Sequence, residues 1–464
     1  MNAQTEITAV EDQIRGIVDN QKAYFRTKVT LPVEFRLEQL KKFEGLLRAH
    51  EQELYDAIYN DFGKSKHHTQ LTEMFPLFEE LELAIKHLKE WAKPRKVSTN
   101  LLNQPGKSYI VAEPLGTTLV IGAWNFPYNL SLIPVVGSMM AGNTTVLKPS
   151  ELPAETSRIM AKIINENFDP GYLRVVEGAI PETTALLNQR WDKIFFTGSP
   201  QVGKIVNQAA APHLTNVTLE LGGKNPAIIA EDAPVDVSVK RLIWAKFINS
   251  GQLCLTPDYV LVHKSIKERV MERMVAEIEK HDYSVERGNF TRIINERNFD
   301  RVVGLIDPEK VYYGGDSNRD ERVIQPTIVH NVSLDDPIMQ DEIFGPIIAV
   351  LEYETLDEAF DIVRQLEKPL AGYLFSHDKE TKARFLAEIP FGSGAINDAV
   401  MQNTNSNLPF GGVGNSGMGR YHGEYSLECF SHMKPVLEKI FDFEPDLKYY
   451  GHSDRQLNII RKLG

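Results

Sequence analysis

Apolar residues recur at helical spacing through the N-terminal part of the chain and then give way to short unbroken runs. Phe35, Leu37, Leu40, Phe43, Leu46 and Leu47 fall at roughly three- and four-residue intervals with charges between them, the pattern of a helix with one buried stripe. The segment "FPLFEELELAIKHLKEWAKP" repeats the pattern and stops at Pro94, so residues 33 to 92 are predicted to be helical. Residues 96 to 113 are mixed and polar, and predict a hairpin or a connecting arm.

From residue 116 the period changes. Short β-rich runs appear at "TTLVIGAW", "TTVLKP", "LRVVEG", "KIFFTGS" and "VTLELGG", and the first three intervals each hold room for a helix, such as "PAETSRIMAKIINENF". Strand, crossover and strand in repetition predict parallel pairing in a doubly wound α/β sheet. Strands of that kind are covered on both faces, which accounts for runs apolar throughout. A second alternating series starts after Cys254, with "DYVLVHKS", a charged helix at 266 to 281, "TIVHNV", "IIAVLEYE", "LDEAFDIVRQLE" and "AGYLFSHD". It predicts a second α/β unit. The glycine-rich stretch "PFGGVGNSGMGR" at 409 to 420 reads as a loop.

Composition adds limits. The 464 residues, 42% hydrophobic and 25% charged, suit a globular protein of two or three domains. Two cysteines give no disulfide framework and favour a reducing, cytoplasmic setting. The first twenty residues lack the basic and apolar regions of a signal peptide, no apolar run approaches a membrane span, and the tail "GHSDRQLNIIRKLG" is too short and polar to anchor one. A net charge of −12 without a dense basic patch disfavours nucleic acid or an anionic membrane as the main partner.

In doubly wound sheets, ligands bind at the carboxyl ends of the strands. Asn125 follows the first strand, Lys148 and Glu151 the second, Thr197, Gly198 and Ser199 the fourth, and Glu220 ends the fifth. Together they predict one cleft. The segment "FTGSPQVGK" nearly matches a P-loop through Gly198, Gly203 and Lys204, but Ile205 stands where a hydroxyl is needed for Mg²⁺. Two readings of that turn stay open: amides and the Ser199 hydroxyl facing a pyrophosphate, or a tight turn in which Gly203 packs a helix on the sheet. Cys254, in "NSGQLCLTPDY", has small and polar neighbours and reads as a reactive thiol in an exposed loop rather than a core residue. The histidines at 213, 263, 281, 330, 377, 422, 432 and 452 lack motif context and read as surface or cap residues, which disfavours a Cys–His hydrolase. Glu220, ending a buried strand, is the better base, because desolvation raises a carboxyl into general-base range. No metal-ligand spacing is present.

"WNFPYN", "KPSE", "FTGSPQVGK", "LELGGKNP", "GQLC", "EIFGP" and "PFGGVGNSGMG" occur in that order, with Glu220 and Cys254 34 positions apart. The set, covering residues from about 30 to 425, resembles the aldehyde dehydrogenase superfamily, and the short segment before the first strand resembles its class 3-like group. The resemblance implies a Rossmann-like NAD(P)-binding domain at 1–95 and 114–221, a catalytic domain at 222–425, and a bridging or oligomerisation arm at 96–113 and 426–464. It implies that Cys254 attacks the aldehyde to give a thiohemiacetal, that the Asn125 amide and the Cys254 backbone N–H hold the oxyanion, and that Glu220 activates the water that hydrolyses a thioester. It also places Lys148 and Glu151 at the adenosine ribose and Gly198 and Ser199 at the pyrophosphate. Thr197, Gly203 and Leu221 belong to the same cofactor cleft, Glu342 to the nicotinamide ribose, and Phe344 to the nicotinamide ring, with Trp124 beside the cleft. Glu151 favours NAD⁺, Lys148 tolerates the phosphate of NADP⁺, and NAD⁺ is the better match. The resemblance further implies a homodimer, no membrane anchor, and aromatic or medium- or long-chain aldehydes as substrates.

Leu253 is bulkier than the Thr or Val often found before the nucleophile, and Cys429, in "SLECFSH", reads as structural. Glycines 411, 412, 414, 417 and 419 read as shaping a loop near the substrate entrance. Two alternatives remain at this point: a CoA-acylating aldehyde dehydrogenase, which needs no base for water, and a non-catalytic protein on the same scaffold.

Overall fold

The computed structural model describes residues 3–444, 448–451 and 453–463. The expectations for His452 and for parts of the 426–464 arm lie outside the described residues. The five predicted strands form one parallel array, ordered Asn216–Leu221, Lys193–Gly198, Thr117–Ile121, Thr144–Lys148, Leu173–Val175. Crossover helices Pro127–Ala141, Ala154–Asn167, Ile180–Leu187 and Pro200–Ala210 join them. Both faces are covered: Val120, Leu147 and Phe195 enter one core cluster, while Leu119, Val146, Ile194 and Phe196 enter another. That double burial is why these strands read as continuous apolar runs.

Three features differ from the sequence expectations. A helix at Ala3–Arg26 precedes the predicted ones, and its Ile14 and Val18 are buried against the first sheet. The second parallel array begins before Cys254, at Pro226–Ile229, which pairs between Tyr259–His263 and Ala371–Phe375 in the interior of a seven-stranded sheet. The glycine-rich stretch is not wholly loop: Gly417 and Met418 pair antiparallel with Glu220 and Leu219, so this segment forms the edge beside the end of the fifth strand.

The polar segment 96–113 becomes two strands, Arg95–Val97 and Gly106–Pro114, and the latter pairs along its whole length with Ser431–Lys439. The carboxyl edges of the two parallel sheets receive the loops that carry the polar residues singled out above.

Candidate active site

Cys254 follows a turn, Ile248–Gly251, in which Asn249, Ser250 and Gly251 have φ of 52°, 53° and 73°. Left-handed backbone is costly for residues with a Cβ and persists where surroundings over-determine it. Here they do. Ser250 Oγ donates to Thr291 O at 2.7 Å and accepts from Thr291 N at 3.0 Å. Gln252 Nε2 donates to Arg292 O at 3.1 Å, and its Oε1 accepts from Ile294 N at 3.1 Å. A Cβ on Gly251 would stand 2.2 Å from Gly345 O, so glycine is required by close approach as well as by φ.

The cysteine loop is therefore not exposed, contrary to the sequence reading. Cys254 is half-buried, and Asn249, Ser250, Gln252 and Thr256 are buried. Burial pushes the Cys254 thiol pKa upward, and the Glu342 and Glu220 carboxylates push the same way, while the Cys254 and Leu255 amides oppose them. The resting thiol is thus protonated at neutral pH and needs a base to become a nucleophile.

Asn125 is buried, and its Nδ2 donates to Gln252 O at 3.1 Å. Asn249 Nδ2 in turn donates to Asn125 O and to Gln252 O, both at 3.1 Å. One N–H of the Asn125 amide is fixed on the cysteine loop, which leaves its second donor for a ligand. Asn225 closes the other side: its Nδ2 reaches Cys254 O at 2.7 Å and Thr256 O at 3.0 Å, and its Oδ1 accepts from Ala371 N at 2.8 Å. Asn225→Ala strips three buried groups of a partner, so unfolding free energy should fall by about 3 kcal/mol, measured by denaturant titration.

Glu220 is 2% exposed and neither carboxylate oxygen has a hydrogen-bond partner. Burial raises its pKa well above the usual range, and Lys193 opposes the rise. An unpartnered buried carboxyl is costly, and such groups concentrate at functional sites.

At the neighbouring strand end, Thr197 is buried with its Oγ1 unpartnered. Gly198 ends the strand, and the Ser199 hydroxyl caps helix Pro200–Ala210 by accepting from Val202 N at 3.4 Å. A Cβ on Gly203 would stand 2.7 Å from Leu221 Cδ2, so Gly203 brings this helix onto the strand that carries Glu220. Lys148 is 2% exposed and donates to Pro149 O at 2.7 Å, with Glu151 Oε2 at 3.6 Å. The Glu151 side chain is 45% exposed.

From the second sheet, Glu342 comes against the first: a Cβ on Gly222 would lie 2.0 Å from Glu342 Oε2. Burial, Asp258 and Asp341 raise the Glu342 pKa well above the usual range. Phe344 has φ of 48°, and its ring meets Trp124 edge-on with centroids 5.2 Å apart. The segment is pinned by Lys224, which donates to Asp258 Oδ2 at 3.0 Å and to Asp341 O at 2.8 Å, and by Ile343 N on Asp258 Oδ2 at 3.0 Å.

The candidate residues thus gather where the carboxyl edges of the two sheets face each other. Sequence reasoning missed Asn225, Asn249, Gln252, Lys224 and Asp258, although "GGKNP" and "NSGQLC" hold four of them; their signal is polarity inside segments that fold inward. His422, read from sequence as a surface or cap residue, is instead buried and stacked on Phe410 at 5.3 Å. Cys429 lies under the first sheet, its sulfur 3.3 Å from Thr218 Oγ1.

The aldehyde dehydrogenase family model matches residues 4–436. Aldehyde dehydrogenase family 3 member H1 of Arabidopsis thaliana is 42% identical over 97% of this chain and 94% of its own. The dimeric NADP-preferring aldehyde dehydrogenase of Rattus norvegicus is 41% identical over 92% of this chain and 94% of its own. Among solved structures, the substrate-bound state of Staphylococcus aureus AldH superposes with a TM-score of 0.93 at 41% identity, over 97% of this chain and 99% of that one. With this architecture and these class 3 relatives, the chain belongs to the aldehyde dehydrogenase family and is an NAD(P)-dependent oxidoreductase of aldehydes.

Proposed function

We propose that Cys254 is the nucleophile, Asn125 the oxyanion donor and Glu220 the general base of an oxidation that ends in a free carboxylic acid. The observation that carries this reading is the Glu220 carboxyl, buried, unpartnered and electrostatically linked to the Cys254 thiol.

The chemistry follows from the groups. Glu220 takes the thiol proton as the Cys254 sulfur attacks the aldehyde carbon. The carbonyl oxygen becomes an alkoxide, held by the second Asn125 N–H and the Cys254 backbone N–H. Bound NAD(P)⁺ supplies the acceptor for the hydride that leaves the former aldehyde carbon, and a thioester on Cys254 remains. Glu220 passes the thiol proton on to solvent and, again a carboxylate, deprotonates a water that attacks the thioester; the acid departs as the Cys254 thiolate leaves and takes back a proton. Because thiol and base both have raised pKa values, and both act deprotonated, activity should rise from neutral toward alkaline pH. A kcat profile measures it. Asn125→Ala should lower kcat by about 10²–10³, read by steady-state kinetics.

The cleft fits the cofactor. An unpartnered buried hydroxyl at Thr197 and a buried lysine at Lys148 offer polar partners at strand ends. Lys148 and Glu151 would hold the adenosine ribose, Gly198 and Ser199 the pyrophosphate, and Glu342 the nicotinamide ribose. Phe344 and Trp124 would flank the ring, while Thr197, Gly203 and Leu221 shape the cleft. Exposure lets the Glu151 carboxylate turn aside for a 2′-phosphate, which supports use of both cofactors with NAD⁺ preferred. Glu151→Gln should raise the kcat/KM ratio of NADP⁺ to NAD⁺ about tenfold, about 1.4 kcal/mol.

The six-, seven- and three-stranded sheets support, in that order, the proposed division into a cofactor domain at 1–95 and 114–221, a catalytic domain at 222–425, and an arm at 96–113 and 426–464. Two free cysteines support a cytoplasmic setting. Among the described residues no helix is long and apolar enough to cross a membrane. The rat relative's dimeric state supports a homodimer. Aromatic or medium- or long-chain aldehydes suit a cleft edged by Trp124 and Phe344. The direct test is NAD(P)H formation with benzaldehyde, hexanal and decanal. No turnover of any of them with either cofactor would overturn the substrate class.

A further inference from the structure

Below Glu220, the face of the first sheet carries a buried polar column that the chemistry above does not use. Thr218 and Glu220 are two residues apart on one strand, so their side chains share a face. On the adjacent strand the register pairs Lys193 with Asn216, Phe195 with Thr218 and Thr197 with Glu220, which puts Lys193, Phe195 and Thr197 on that face as well. Lys193 is 2% exposed. Its Nζ donates to Thr218 Oγ1 at 2.6 Å and to Asn216 Oδ1 at 2.5 Å. Cys429 Sγ is itself 3.3 Å from Thr218 Oγ1. Phe195 beside them is packed by Tyr421 and Phe430, at centroid distances of 4.9 and 5.8 Å, so aromatic rings flank the buried part of the column, from Lys193 to Glu220, while Asn216 at its outer end is exposed.

We propose that Lys193 is a positioning cation for the base, its ammonium anchored on Thr218 one same-face position behind Glu220 and acting on the carboxyl through the dry interior of the sheet. The inference rests on Glu220 being the base of the reaction.

The groups that face Glu220 leave the work to this lysine. From the cysteine loop comes Cys254, from the segment after the glycine-rich edge comes Tyr421, and from helix Glu424–Cys429 comes Cys429. Each becomes negative when it ionises, and so disfavours the carboxylate. Glu342, against Gly222, is also an acid. Lys193 is the cation among the described residues that lowers the Glu220 proton affinity. Its own pKa is lowered by burial, with Cys429 and Glu220 acting to keep it charged. Thr218, which holds the ammonium, is two residues or about 7 Å along the strand from Glu220, and at about that range with an effective dielectric constant near 20 one unit charge shifts a carboxyl by about one pKa unit or somewhat more.

The test is the pH dependence of kcat for hexanal oxidation with NAD⁺, in the full chain, for wild type, Lys193→Gln, Lys193→Arg and Glu220→Gln. Lys193→Gln keeps hydrogen-bonding capacity and loses the charge. The expected result is an ascending limb displaced upward by about one pH unit, an approximately tenfold loss near neutrality, and recovery toward the wild-type rate in the alkaline range. Lys193→Arg should restore the wild-type limb. A uniform loss at every pH, or an unmoved limb, overturns the proposal, because a merely structural lysine leaves the limb in place. If Lys193→Gln does not fold, Thr218→Val releases the ammonium from its anchor with the charge retained; an unchanged limb there also overturns it. Glu220→Gln separates the two failures: if that variant keeps wild-type rate and profile, the assignment of the base itself falls, and the role of Lys193 with it.

Discussion

Cys254→Ser should abolish NAD(P)H formation from every aldehyde, lowering kcat by about 10⁴-fold or more. The replacement alters one atom at a half-buried site, and the loop around it is held by partners that do not involve the sulfur: Asn225 on the Cys254 carbonyl, Ser250 on Thr291, and Gln252 on Arg292 and Ile294. Folding should therefore be intact while chemistry is lost. A serine hydroxyl is a far weaker acid than a thiol, and a site that already raises the thiol pKa by burial and two carboxylates cannot ionise it. Cys429 offers no rescue, since its sulfur is engaged with Thr218 beneath the sheet. Stopped-flow absorbance at the reduced nicotinamide band checks both turnover and the first oxidation event. NAD(P)H released at even a tenth of the wild-type rate would place the nucleophile elsewhere.

Much of this site was legible because parallel strands buried on both faces write themselves as apolar runs, and polar residues just past their ends stand out. Asn125, Lys148, Thr197 and Glu220 were found that way. What escaped reading has physical causes. Pro226–Ile229 is only four residues long and follows "GGKN", so it carries no period of its own, yet it takes an interior place in the second sheet. The Cys254 loop looked exposed because Asn249, Ser250 and Gln252 are polar; they are buried, and Asn249 Nδ2, Ser250 Oγ and both ends of the Gln252 amide find main-chain partners distant in sequence. Gly417 and Met418 become a strand only because Leu219 and Glu220 offer an edge, and no local pattern records a partner so far away. The N-terminal helix is written in Val10, Ile14, Ile17 and Val18, whose three- and four-residue spacing puts them on the face that packs on the first sheet. Local pattern locates the ends of strands; long-range hydrogen bonds decide what the loops beyond them do.

Glu220→Gln should separate oxidation from hydrolysis. The amide is nearly the same shape as the carboxyl and cannot take a proton, and the buried pocket offers no partner at either oxygen position to replace it. The neutral side chain also removes one of the two carboxylates that raise the Cys254 pKa, so a fraction of the thiol can ionise without the base as the solution is made alkaline. The first oxidation then proceeds slowly, and the thioester that follows has no group to activate water. A rapid-mixing trace at alkaline pH should show a burst of about one NAD(P)H per site, and steady-state kcat should fall by about 10²–10⁴, the usual worth of a positioned base. The acyl group should be detectable on Cys254 by intact-protein mass. An added thiol such as CoA should restore turnover to the variant by attacking the thioester directly, while leaving wild type little changed. Wild-type turnover that requires CoA would instead assign the chain to the acylating branch, and Glu220 would then have no water to activate. Acid formed by wild type without CoA, together with a CoA-rescued Glu220→Gln, fixes the order of events: sulfur attack, oxidation, and release by a water that only this buried carboxyl can deprotonate.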